Sequence, residues 1–391
     1  MTGVDSMYGV LIIRGLAGFK IMRDVASNYA KQCRWLADLG LGLSFGSIYH
    51  YFIFKKDGRR LLLQQLLIIV FFAGFFLNQQ NPGSTQSWII LLLGLASGFF
   101  GLGIFWMAKQ ALDILTITGT PPGVALLIPG VTPGIPLYEG IIAIVIIASV
   151  HELAHGVLAN IEKLPLKSSG ALLWGFLPIG AFVEPDEKAF GKLELHKKRR
   201  VLIAGSTSNL FFFIIFSILL ALAGFALNPL VSHAEITAVA QNGSANGILA
   251  AGNAIYSINA IAVKNLGETQ TQLAKYKEGN KIILSTSTGE KQVVLGKNGK
   301  MGVEIKNKPL KGWELPYEAM VFIMQILFLT MLLNFMLAIV NVLPLFLTDG
   351  HKLLNEELTY WLAPSTAQKV SVAIGIAMLA IVALNALPYF I

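Results

Sequence analysis

Seven stretches of this chain are apolar over close to the thickness of a bilayer, and that constrains the fold more than anything else in the sequence. A hydrocarbon layer of roughly 30 Å takes about 20 helical residues to cross. The stretches fall near residues 39–54, 61–77, 88–107, 137–160, 201–227, 318–342 and 370–389. With 54% hydrophobic and 13% charged residues, the composition lies outside the range of soluble domains. The expected fold is a polytopic α-helical membrane protein of about six to seven transmembrane helices, residues 1–136 contributing about three. Arg14 interrupts the apolar start, so no cleaved signal peptide is expected.

The net charge of +8 is spread over short loops and one polar insert, which argues against a nucleic-acid face and points to anionic lipid as the partner. The lone cysteine, Cys33, can make neither an internal disulfide nor a thiolate metal site, and reads as structural. Between residues 231 and 311 the apolar runs give way to short alternating segments, "AEITAVA", "AIYSINAIAV", "KIILSTST", "EKQVVLG" and "MGVEI", divided by Gly and Asn turns. A helical stretch at 266–277 interrupts them. That order, with "NGSANGILAAGNAIYSINAIAV", resembles a PDZ domain, although Ala245, Asn253 and Ala260 depart from the PDZ pattern. The resemblance implies an extra α+β domain in which a peptide or C-terminal segment adds to a sheet edge, or which only filters access.

The segment "HELAH" ends the fourth apolar run. Its spacing puts His151 and His155 one turn apart on one helix face, where two imidazoles can hold one zinc ion, Zn2+. Glu152 can then reach zinc-activated water as general base. A catalytic zinc needs a third protein ligand, and it must come from another membrane helix. The run "LTMLLNFMLAIVNVLPLFLTDGHK" ends in Asn341, the helix-breaking Pro344, and then Asp349, the candidate ligand. His155 and Asp349 both lie near the C-terminal ends of their runs, so those helices must be parallel, and the one run between them, 201–227, supplies the return crossing. Two rival readings use the same metal site, a zinc transporter and a membrane scaffold without turnover; a transport path would need polar positions along the bilayer.

Taken together, "HELAHG", the later "NVLPLFLTDG" and the insert between them resemble the site-2 protease family of intramembrane zinc metalloproteases. "PIGAFVEPDE" and "PPGVALLIPG" are similar to its archaeal branch. The likeness runs from about residue 120 onward. It implies a catalytic membrane core in two parts, 137–230 and 312–391, around a PDZ-like extracytoplasmic domain at 231–311. It also implies zinc on His151, His155 and Asp349, Glu152 as general acid and base, and Asn341 orienting or polarising the scissile carbonyl, against a reading of Asn341 as bonding the backbone freed near Pro344. Members often carry a Pro where Ser206 stands in "AGSTSN", so this helix should bend less, with Asn209 in a packing or ligand-supporting role. His351, in place of a small residue, reads as a loop histidine, with a role beside the metal as the alternative.

The basic loop 161–200 places the metal side in the cytoplasm by the positive-inside rule, although "KKDGRR" at 55–60 falls outside if every early run crosses. His151 lies 14 residues into its run, roughly 21 Å at about 1.5 Å per residue, in the cytoplasmic half of the bilayer. A helical substrate hides its carbonyls, so a transmembrane protein substrate must be unwound at the site. The segment "GFLPIGAFV", 175–183, is too short to cross and rich in strand formers. It resembles the family's membrane-associated β-loop, whose edge would pair with that unwound segment. The resemblance implies that its substrates are membrane-tethered regulatory proteins.

Overall fold

The spanning-length apolar runs become helical, and among the described residues segments outside them form two sheets. The computed structural model describes residues 3–7, 10–15, 18–78, 83–125, 127–175 and 177–390. Its helices are α1 (Phe19–Phe54), α2 (Gly58–Leu77), α3 (Thr85–Thr116), α4 (Leu137–Ile161), α5 (Glu187–Gly191), α6 (Leu195–Leu227), α7 (Leu266–Leu273), α8 (Glu314–Val342), α9 (Asp349–Trp361) and α10 (Pro364–Ala386). Among the described residues six helices, α2, α3, α4, α6, α8 and α10, are long and apolar enough to cross a membrane. Side chains such as Leu62, Leu92, Ile218 and Leu379 on these helices remain exposed, an apolar surface that only lipid solvates well. The chain is a multi-pass helical membrane protein with β structure.

The first apolar run, 39–54, is not a separate helix. It is the end of α1, which loses helical geometry at Gly46 (φ 87°, ψ 165°). α3 is broken in the same way at Gly98 (φ 63°, ψ −158°). The two breaks interlock: a Cβ on Gly46 would overlap the Ala96 carbonyl, and one on Gly98 would overlap the Leu43 and Ser44 carbonyls. Each glycine therefore serves both a left-handed φ and a backbone-to-backbone approach. Gly98→Ala should destabilise the fold by roughly 3 kcal/mol, strain and overpacking adding together. Thermal unfolding in detergent should show a clear drop in midpoint, and an unchanged midpoint would refute the interlock.

The broken α1 also repositions the basic start of α2. Asp38 on α1 is fully buried and is shared by Arg60 of α2 and Arg200 of α6. Arg60 of "KKDGRR" therefore lies at the same end of the helices as the start of α6.

The chain divides into two compact units, residues 1–216 with 328–391, and residues 217–327. The second unit carries β5 (Val231–Val239), β6 (Ala254–Ile258), β7 (Ile261–Ala262), β8 (Lys281–Thr286), β9 (Gly289–Val294) and β10 (Val303–Pro309). They form one antiparallel sheet in the order β10-β5-β6-β8-β9, with β7 paired to β6. Alternation along the strands buries Ile236, Ile255, Ile258, Ile282, Leu284 and Val293 in one core. Asn265 caps α7 by accepting from the Glu268 N–H (2.9 Å), and the helix stops at Leu273, four residues short of the expected end.

In the first unit, β1 (Gly3–Met7), β2 (Val10–Gly15), β3 (Leu166–Trp174) and β4 (Leu177–Pro185) form a sheet in chain order. The β3–β4 hairpin covers the expected β-loop, whose Phe176 lies outside the described residues. The pairing of β2 with β3, from Val10 opposite Trp174 to Gly15 opposite Ser169, has no counterpart in the sequence reading.

Candidate metal centre

α4 carries the first two candidate ligands. His151 is buried, and His155 follows it one turn later on the same helix face. The third comes from α9, a helix that the sequence reading did not anticipate. Pro344 ends the hydrogen-bonding run of α8, and the turn that follows is closed by the Thr348 hydroxyl, which donates to the Leu343 carbonyl (2.5 Å). The same hydroxyl accepts from the His351 N–H (3.3 Å) and so caps α9, leaving Asp349 in its first turn. Gly350 lets that turn lie directly on the Val342 carbonyl. The motif "NVLPLFLTDG" thus reads as helix stop, cap, ligand and close approach.

The three ligand atoms converge. Asp349 Oδ2 is 3.2 Å from His151 Nε2 and 3.0 Å from His155 Nε2, and the two Nε2 atoms are 3.2 Å apart. The donor pattern tests whether a cation fits there. The Val201 carbonyl can only accept, so His155 Nδ1 carries the proton that it donates across 2.7 Å, and His155 Nε2 presents a lone pair. His151 Nδ1 lies 3.2 Å from the Asn209 side-chain amide, whose buried Oδ1 is otherwise unpartnered. Turning that amide over lets Oδ1 accept from His151 Nδ1–H and leaves a second lone pair on His151 Nε2. Two ring lone pairs and a carboxylate oxygen facing one another make an acceptor-only cluster that a cation satisfies. Among the described residues, His151, His155 and Asp349 are the group that could hold a metal ion.

α6 backs this cluster through one helical stripe. The Val201 carbonyl holds His155, Gly205 faces both imidazoles, and Asn209 meets His151, at positions i, i+4 and i+8. In front, Glu152 accepts from the Val183 N–H of β4 (2.9 Å). Among the described residues β4 pairs only with β3, so this N–H faces the open edge of the sheet, and by the period of two the Ala181 backbone does as well. Asp349 Oδ1 is left to Lys352 Nζ at 3.5 Å.

Glu152, His155 and Asp349 line a cavity of about 500 Å3, together with Arg14, Phe182 and Glu184. Arg14, which the sequence showed only as an interruption of an apolar stretch, donates to Glu184 (2.6 Å) and Asp5 (2.8 Å) and lies 5.6 Å from the centre of the Phe182 ring. Hydrogen bonds from Ser168 and then the charge of Arg14 hold the Glu184 carboxyl below its usual range. The alternation of residues 3–15 was the available signal for this wall. Asn341 is half-buried near the end of α8, does not line the cavity, and has no side-chain hydrogen bond among the described residues. His351 is in a helix rather than a loop, edge-on to Phe346 and 3.4 Å from Ser371, outside the ligand group.

A family model described as peptidase family M50 matches residues 139–382, from the first turn of α4 to the last turns of α10. The chain belongs to peptidase family M50, the site-2 protease family. Membership implies metalloprotease activity for this M50 chain. An uncharacterized protein of Methanocaldococcus jannaschii is 32% identical over 263 residues, covering 64% of this chain and 67% of the relative. The matched span of the M50 model contains both ligand-bearing helices, the β3–β4 hairpin and the stripe on α6.

Proposed function

We propose that the protein is an intramembrane zinc protease that hydrolyses peptide bonds within or beside transmembrane segments of membrane-tethered regulatory proteins. One observation carries the reading: Glu152 faces the same cavity as the acceptor-only cluster and is hydrogen-bonded to the free edge of β4. The group held by His151, His155 and Asp349 would be zinc, which when bound supplies Lewis acidity.

The remaining steps belong to side chains and backbone of the chain itself. An unwound substrate segment pairs as a fifth strand along β4, with Ala181 and Val183 offering backbone groups, so that a helix's hidden carbonyls become available. Glu152 then exchanges its bond to Val183 for the attacking water, takes a proton from it, and returns that proton to the amine nitrogen as the C–N bond breaks. Asn341, near the end of the helix that leads to Asp349, would be the donor to the scissile carbonyl oxygen. A site toward the cytoplasm is supported by the basic segments 55–60 and 161–200, since positive charge favours that side.

In liposomes, a single-span substrate with a helix-destabilised segment should be cleaved inside or next to that segment. Cleavage should stop with a zinc chelator and return with added zinc. Chelator-resistant cleavage, or cleavage confined to soluble tails, would overturn the proposal.

A further inference from the structure

The run "KKRR" at 197–200 looks in sequence like a headgroup-facing charge cluster. In the structure, three of its side chains are turned inward and spent on ion pairs. Lys198 Nζ reaches Glu356 at 2.8 Å, with side chains 12% and 21% exposed. Arg199 makes a two-pronged pair with Glu357, Nε at 2.5 Å and Nη2 at 2.7 Å, and Glu357 also accepts from the Tyr49 hydroxyl at 2.8 Å. Arg200 grips Asp38 with a second two-pronged pair, at 2.7 and 2.9 Å, and lies 3.6 Å from Glu162 at the end of α4. The next residue, Val201, gives its carbonyl to His155.

Four consecutive residues of α6 therefore address both halves of the metal centre. Lys198 and Arg199 hold α9, which carries Asp349 seven and eight residues before Glu356 and Glu357, about 11 Å along the helix. Arg200 and Val201 hold the end of α4 and one of its imidazoles. α9 is a short polar helix flanked by turns at 343–348 and 362–363, so its covalent links alone leave its slide along α6 open. Parallel N–H···O bonds from a planar guanidinium fix both distance and rotation, which one ammonium contact does not.

We propose that Arg199 and Glu357 are positioning residues that set the register of α9 against α6 and so seat Asp349 between His151 and His155. The inference rests on the zinc reading above, and its test is separable from it. Zinc affinity is measured on the purified full chain in detergent, by competition with a chromophoric chelator and without substrate. Arg199→Gln and Glu357→Gln should each weaken binding roughly 10-fold, the size seen when groups supporting metal ligands are lost. The double variant should be no weaker than either single one. Arg199→Lys, which restores the charge without the fork, should recover only part of the loss, and it serves as the probe if either glutamine variant fails to fold.

A simple charge effect predicts otherwise. Removing a cation would tighten zinc binding and removing an anion would loosen it, so shifts of opposite sign would overturn the proposal. Unchanged affinity in both single variants, or additive losses in the double, would overturn it equally. Wild-type protein that binds no zinc would fail the zinc reading itself, before the register is in question.

Discussion

Glu152→Gln should abolish peptide cleavage while leaving zinc binding at wild-type stoichiometry. The amide has the size of the carboxylate and its oxygen can still accept from the Val183 N–H, so the β4 edge should keep its place. What the amide cannot do is take a proton from water. General acid–base catalysis contributes about 10²–10⁴ in rate, and here one group both removes and returns the proton, so the loss should reach the upper part of that range. The three ligand atoms belong to other residues, which is why metal content should not change. Single-turnover assays with the liposome substrate, beside metal analysis of the same sample, make the comparison. Surviving cleavage would remove Glu152 from the chemistry, and lost metal would instead make it part of the ligand set.

The parts of the site that were legible in the sequence are those written in side chains at short spacing. "HELAH" is one turn of helix, and an α4 of 25 residues carries it as the apolar run predicts. Asp349 was legible because Pro344 and Gly350 announce a stop and a close approach, yet α9 itself was not. Its cap lies in the Thr348 hydroxyl bridging back to the Leu343 carbonyl, a turn that no periodicity encodes. Val201 was invisible for a different reason, since it acts through its carbonyl and any residue has one. The break at Gly46 needs its partner at Gly98 on another helix, so neither glycine alone shows that residues 39–54 are the broken end of a longer helix. Strands β1 and β2 were lost because a short half-buried segment with an arginine reads as a poor helix until β3 supplies the pairing. In each case the missing information is a non-local contact or a backbone group.

Gly205→Ala should cost zinc affinity more than removal of either side chain on the same face of α6. An added Cβ would overlap ring atoms of both His151 and His155, and either the rings or the helix must move. The helix is poorly placed to yield. Two-pronged pairs from Arg199 and Arg200 hold its second turn, and close packing of Thr207 on Gly40 holds the turn after Gly205. The rings therefore shift off the common point, with an expected loss of at least about 100-fold, the top of the range for damage around metal ligands. Asn209→Ala deprives His151 Nδ1 of its partner but leaves the rings their space, so about 10-fold is expected. Alanine favours a helix interior over glycine by about 1 kcal/mol, so fold stability measured with zinc removed should hold or rise in Gly205→Ala while affinity falls. Competition titration of zinc and thermal unfolding under chelator separate the two effects. If Gly205→Ala binds zinc as wild type does, the imidazoles are not seated against α6 and the cradle has been misassigned. If affinity and metal-free stability collapse together, the glycine serves helix packing, and the ring-by-ring account of the metal centre loses its backing wall.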